Sequence, residues 1–231
     1  TEPGDEASAP SLRDDWYDAA RKKDPEATPH LGLPGSGSDY TVFLHHLGLP
    51  VLDLGLGGNG GGQYHTAVDD FGIVDKYLDP GFLGHETAGL MFAEVLAEVA
   101  DSGRASFDAS EATLELHRIL SAVDPTSLPG NEGADASGYA DLLTALEFYA
   151  HVRDSGRLGG NGSLLYQHLA LEDGLPGRAW YRNALWAPGA ETGYAAELLP
   201  TLRNAGDELP ARIDELVMLI EASILPEQPT D

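Results

Sequence analysis

From residue 109 onward the apolar residues of this chain recur only at helical spacing, and that pattern confines its second half to an all-helical fold. Four segments, 109–123, 137–155, 161–172 and 207–224, each carry an apolar stripe. In the last, Leu209, Ile213, Leu216, Val217 and Ile220 fall on one face of a helix. A single stripe has nothing to bury itself against, so the four together predict a four-helix-bundle-like unit. Between the third and fourth lies an irregular aromatic segment, Pro176 to Pro200.

The first hundred residues follow a different pattern. Ser11 to Lys23 reads as a short helix with Ser11 as N-cap, and Tyr40 to Leu47 as another that Gly48 ends. The apolar run Pro50-Val51-Leu52-Asp53-Leu54 predicts a buried strand over 50–56, followed by a glycine-rich loop and helices over 73–77 and 82–99. Strand, loop and helix in that order describe the closing segment of an α/β sheet. The expected architecture is therefore α+β: the end of an α/β domain over 1–103, then a helical domain over 104–231. No internal repeat is visible.

Composition excludes several functions. The 231 residues carry 38 acidic against 13 basic side chains, a formal net charge of −25. Such a chain repels nucleic acid and anionic membrane surfaces. The acids are spread along the chain, which favours a surface suited to high salt over recruitment of cationic substrates. No apolar run approaches the roughly 20 residues that a membrane-spanning helix needs. Thr1 to Pro10 has neither the basic nor the apolar region of a signal peptide. With no cysteine, any metal site must use histidine and carboxylate ligands.

Candidate chemistry concentrates in Gly61-Gly62-Gln63-Tyr64-His65-Thr66-Ala67-Val68-Asp69-Asp70. Tyr and His side by side at a strand end, with a carboxylate four residues on, suit a metal site. There His65 would ligate, Tyr64 would donate to an oxyanion and Asp69 would cap the next helix. The bland alternative is a histidine satisfied by a backbone partner. Gly55-Leu56-Gly57-Gly58-Asn59-Gly60 spells a dinucleotide-loop motif, but more loop follows where that fold needs a helix. Of His45 and His46, the helix turns only one to the core. His85, His117, His151 and His168 share no ligand spacing and read as structural or exposed, and Glu86, Glu94 and Glu98 lie on a helix in solvated-face or packing roles. There is no H-E-x-x-H cluster, and no Gly-x-Ser-x-Gly elbow around Ser36.

Several separated motifs share their order with one family. Leu33-Pro34-Gly35-Ser36-Gly37-Ser38-Asp39-Tyr40 with Phe43 and Leu47-Gly48, then Tyr64-His65-Thr66 with Asp69, then Tyr77-Leu78-Asp79-Pro80, precede Leu175-Pro176-Gly177-Arg178-Ala179-Trp180-Tyr181-Arg182-Asn183 and Trp186-Ala187-Pro188. Over about residues 11 to 224 this resembles the C-terminal part of the M28 zinc peptidases, in their glutamate carboxypeptidase and transferrin-receptor branch. The resemblance implies that His65 binds one of two zinc ions and that Tyr64 hydrogen-bonds the tetrahedral intermediate. It implies that Ser36, Gly37, Ser38 and Tyr194 line the substrate cleft, with Tyr194 at the substrate terminus. It further implies a homodimer through the helical half, a peptide substrate, and an extracytoplasmic setting.

The remaining zinc ligands and the general base are not found in this sequence. The expectation is a zinc exopeptidase as the intact protein, its N-terminal catalytic portion missing here and this chain inactive alone. The alternative is a non-catalytic, transferrin-receptor-like dimerisation or scaffold module. Glutamate-specific members carry cations where this chain has Asp53, Gly55 and Gly193, which implies a less acidic dipeptide or an aminopeptidase-like preference.

Overall fold

A computed structural model of the chain describes residues 11–22, 24–57, 62–101, 109–155 and 164–224. The predicted tails over 1–10 and 226–231, the 103/104 domain boundary and Gly58–Gly61 of the glycine-rich loop lie outside the described residues. The chain divides into two compact units, Thr1–Leu33 and Pro34–Asp231.

Among the described residues the first unit holds one helix, α1 (Leu12–Arg21). Ser11 caps it as the sequence predicts. The Ser11 hydroxyl accepts from the Asp14 amide at 3.2 Å, and the Asp14 carboxylate accepts from the Ser11 amide at 2.8 Å, a reciprocal capping box. The Ser11 amide, and then its hydroxyl, which also donates to the Asp14 carboxylate at 2.8 Å, hold that carboxyl below its usual range. No residue of α1 is buried, so this unit rests on local interactions.

The second unit begins with α2 (Tyr40–His45), α3 (Phe71–Ile73) with a π turn at Val74–Leu78, and α4 (Leu83–Asp101). It continues through α5 (Ser110–Ser121), α6 (Tyr139–Asp154) and α7 (Leu164–His168). Strands β1 (Trp186–Pro188) and β2 (Ala196–Leu198) precede α8 (Leu209–Ala222).

The core lies where the helical stripes place it. α5 packs on α6, α6 on α8, and α8 on α7. Leu116 and Leu120 of α5, Leu142, Leu146 and Tyr149 of α6, and Ile213, Leu216 and Ile220 of α8 are buried. Each such aliphatic side chain contributes ~1.5–3 kcal/mol relative to exposure. The turns joining these helices are tied by Asn131, whose amide donates to the Pro125 and Leu202 carbonyls and accepts from the Ala205 and Gly206 amides. A buried amide is tolerated because every bond it can make is made. The Tyr139 hydroxyl donates to the Leu120 carbonyl at 2.9 Å, and burial pushes its pKa up to about 12.

Three expectations change. The helix over 161–172 is only Leu164–His168, with 161–163 outside the described residues. Ala170 leaves it to pair with Asn183, and the Leu171 amide donates to the Arg182 carbonyl at 2.8 Å. The Pro176–Pro200 segment contains an antiparallel hairpin, with Trp186 opposite Leu198 and Pro188 opposite Ala196. The predicted strand over 50–56 is not formed: residues 51–57 make no ladder. A strand exists only where a neighbour takes up its amides and carbonyls, and no described residue does so here. Among the described residues the only sheet is the β1–β2 pair, so the α/β part of the expected architecture shows helices alone.

Candidate substrate ledge and ligand turn

The loop before α2 and the hairpin loop between β1 and β2 meet. The Ser36 amide donates to the Tyr194 carbonyl at 2.9 Å. Gly35 permits the approach, since a Cβ there would stand 1.8 Å from that same carbonyl oxygen. The Tyr194 ring lies over Gly37, 3.1 Å from where a Cβ would be. Three of the four residues expected to line a cleft thus form one ledge, although they come from opposite ends of the unit. Ser38 lies two residues before α2, its carbonyl accepting from the Thr41 amide and hydroxyl. Tyr194 is 68% exposed and presents its ring to solvent.

The hairpin is braced by one carboxylate. Glu197 pairs with Arg203 at 2.6 Å and with Arg178 at 3.3 Å, and accepts from the Ala190 amide at 2.9 Å. Arg178 also donates to the Pro188 carbonyl at 2.6 Å. One carboxylate facing two guanidiniums and an amide therefore sets the path of the loop that carries Tyr194. Arg178 belongs to the Leu175–Asn183 motif, whereas nothing in the sequence singled out Glu197.

Beneath the ledge sits His45, fully buried. Its Nε2 donates to the Gly35 carbonyl at 2.7 Å, which leaves Nδ1 as the acceptor nitrogen, buried and without a hydrogen-bond partner. Its ring meets Tyr181 and Trp186 edge-on at 6.4 Å each. Burial pushes its pKa down, against the opposing effect of the Gly35 and Pro34 backbone, and so favours the neutral ring. The Trp186 indole donates to the Pro34 carbonyl at 3.2 Å. His46 turns outward and stacks on Trp180 at 4.9 Å, as expected of a pair of which one faces the core. Gly48, with φ of 65°, ends the turn against α7, where a Cβ would stand 2.8 Å from the Tyr166 carbonyl. Burial, and then the charge of Asp53, push the Tyr40 hydroxyl pKa upward.

Tyr64 and His65 form a separate turn. Their rings stack at 3.7 Å, and the Thr66 hydroxyl and amide both donate to the Gln63 carbonyl. His65 has φ of 62°, a left-handed backbone that costs a non-glycine residue on the order of 1–2 kcal/mol. Such outliers cluster at functional positions. Asp69 does not cap the following helix as expected. It accepts from the His65 amide at 3.4 Å, and Asp70 provides the cap by accepting from the Ile73 amide at 3.0 Å. The capping oxygen must approach the first-turn amides, and Asp70 is the residue directly before α3.

Among the described residues no hydrogen bond or ring contact joins this turn to the ledge. Nor does any described group of three or more histidine and carboxylate side chains form a metal cage.

Residues 163–221 match the transferrin receptor-like dimerisation domain. A probable glutamate carboxypeptidase, LAMP1, of Arabidopsis thaliana is 29% identical over 76% of this chain and 27% of its own length. A probable glutamate carboxypeptidase of Arthroderma benhamiae is 28% identical over 77% of this chain and 27% of its own length. The aminopeptidase NAALADL1 of Rattus norvegicus is 26% identical over 97% of this chain and 36% of its own length. The chain resembles the C-terminal part of that peptidase branch. It spans only about a quarter to a third of the length of these relatives. The match at 163–221 includes α7, the hairpin and nearly all of α8, so the element carrying Tyr194 and part of the helical core belong to one recognised unit. No described helix is long and apolar enough to cross a membrane.

Proposed function

We propose that this chain is the C-terminal portion of a zinc-dependent exopeptidase that hydrolyses small peptides and pairs with a second copy through its helical half. The observation that carries the reading is the ledge, in which the Ser36–Gly37 turn and Tyr194 meet across the unit. A surface of backbone amides, hydroxyls and one exposed aromatic ring suits a peptide end. The names of the relatives as glutamate carboxypeptidases and an aminopeptidase point to the same chemistry.

In this reading His65 supplies one imidazole of a two-zinc centre, and the other ligands come from polypeptide beyond this chain. When bound, zinc supplies Lewis acidity to the scissile carbonyl. Tyr64 is 73% exposed, and its hydroxyl is free to donate to the developing oxyanion. Ser36, Gly37, Ser38 and Tyr194 bind and orient the substrate terminus. Without the remaining ligands the isolated chain is inactive. Asp53, Gly55 and Gly193 leave the cleft short of cations, so the preferred terminal residue is not glutamate but a less acidic one. The α/β sheet that would pair with residues 50–56 belongs to the same missing portion, and the helical half provides the dimer contact.

A scaffold that has lost catalysis is the second reading, favoured by the position of the domain match, which lies wholly within 163–221. Zinc content and peptide hydrolysis of the intact protein separate the two. The His65→Ala variant of the intact enzyme is expected to lose both metal and activity. Full zinc occupancy in that variant would overturn the ligand assignment, and a metal-free, inactive wild-type protein would leave the scaffold.

A further inference from the structure

We infer that His45 is a positioning residue for substrate binding, acting through the Gly35–Gly37 turn that it holds against the Tyr194 carbonyl. The inference rests on the exopeptidase reading for its consequence, and on geometry alone for the hold. His45 sits at the end of α2, fully buried between Tyr181 and Trp186. Its one side-chain bond goes to the Gly35 carbonyl, in the peptide unit whose amide is that of Ser36. That amide donates in turn to the Tyr194 carbonyl. Ring, peptide plane and hairpin loop therefore form a single chain of hydrogen bonds, and a shift of the Gly35 carbonyl rotates the Ser36 amide away from its acceptor.

A role in packing does not account for the imidazole. The ring brings a buried Nδ1 with no hydrogen-bond partner, an unfavourable feature that a leucine of similar bulk would not have. What the imidazole has and leucine lacks is the Nε2–H that reaches the Gly35 oxygen. The Trp186 indole, bonded to the Pro34 carbonyl one residue earlier, fixes the same turn from the hairpin side. Both donors aim at successive carbonyls of one short segment, which is what holding a loop at a set height requires.

The test compares His45→Leu with His45→Gln in the intact protein, since glutamine keeps an N–H at the position of Nε2. His45→Leu is expected to raise KM for a dipeptide substrate about tenfold with kcat changed less than about threefold, and His45→Gln to recover most of the loss. Zinc content should stay unchanged in both. In parallel, hydrogen–deuterium exchange of the peptide containing Ser36 should quicken in the leucine variant and not in the glutamine variant, with the α6 peptide around Leu146 as the folding control. His45→Met, unbranched and lacking a donor, replaces the leucine variant if that one does not fold. Equal impairment in Leu and Gln, wild-type behaviour in both, or a fall in kcat at constant KM would each overturn the positioning role. If the wild-type protein hydrolyses no peptide, the exopeptidase reading fails, and the exchange experiment still decides whether His45 holds the turn.

Discussion

Two long helices of the same unit, α6 and α4, have opposite fates. α6 spans 16 residues and buries Leu142, Ala145, Leu146, Tyr149, Ala150 and Val152 between α5 and α8. α4 is longer, at 19 residues, and buries none. Leu90 and Leu96 of α4 are 60% and 68% exposed, and Leu83, Phe92 and Val99 are exposed beside them. What α4 does have is a capped start and one shallow apolar contact. Asp79 accepts from the Gly84 and His85 amides and from the His85 ring, and Leu54 and Leu56 lie with Met91 and Phe92 around a small hollow. Apolar content makes a helix possible, whereas a facing layer makes it a core element.

The same contrast separates the two candidate sites. The ledge is held by the Ser36–Tyr194, His45–Gly35 and Trp186–Pro34 bonds, all within the packed part of the unit. The Tyr64–His65 turn stands on its own stacking and on bonds within residues 63–69. The first is held by contacts between segments far apart in the sequence, the second by contacts within a few residues.

The contrast can be broken at four points. Leu146→Ala removes the fully buried centre of α6 and should cost ~2–5 kcal/mol, read from denaturant unfolding followed by helix content. A loss below about 1 kcal/mol would mean that the helical core is not what holds the unit together. Gly35→Ala places a methyl against the Tyr194 carbonyl and should cost ~1–3 kcal/mol, with faster exchange at Ser36. Unaltered exchange there would dissolve the ledge as a packed feature.

A smaller effect is expected in acid. The Asp79 carboxyl is held down to about 2, chiefly by the His85 ring and then by the Gly84 and His85 amides. Its folded pKa lies below the ordinary value of about 3.8, so its stabilising effect is complete above that value and fades as pH falls towards about 2. The difference between wild type and Asp79→Asn in exchange at Gly84 and His85 should therefore shrink over that window. A difference independent of pH would remove the carboxylate from the cap. Smallest of all, Leu96→Ala should change the stability of this chain by less than about 0.5 kcal/mol, because the side chain is already in water. A larger loss would show that α4 is covered in solution.

Local features were legible in the sequence where their cause is local. Ser11 and Asp14 cap α1 within one turn, Gly48 ends its turn with a positive φ, and the stripe of α8 faces the core at Leu209, Ile213, Leu216 and Ile220. The candidate site was legible as residue identities, because motif order carries the resemblance. Its assembly was not. Asp69 and Asp70 are adjacent carboxylates, and only the start of α3 decides which one caps it. Glu197 reads as one acid among 38 until Arg178 and Arg203 converge on it.

By itself the sequence determined three of the four helices expected in the second half, over 109–123, 137–155 and 207–224, which family the chain resembles, and which side chains are available for chemistry. Those follow from periodicity, caps and residue identity, all set within a few residues of the chain. Tertiary structure alone decided that residues 51–57 form no strand, that the aromatic segment folds into a hairpin, and that His45 bonds Gly35 beneath Tyr194. Each of these depends on a partner distant in sequence. A strand needs another backbone beside it, and a buried polar group needs a mate, and neither requirement is written in the residues that carry it.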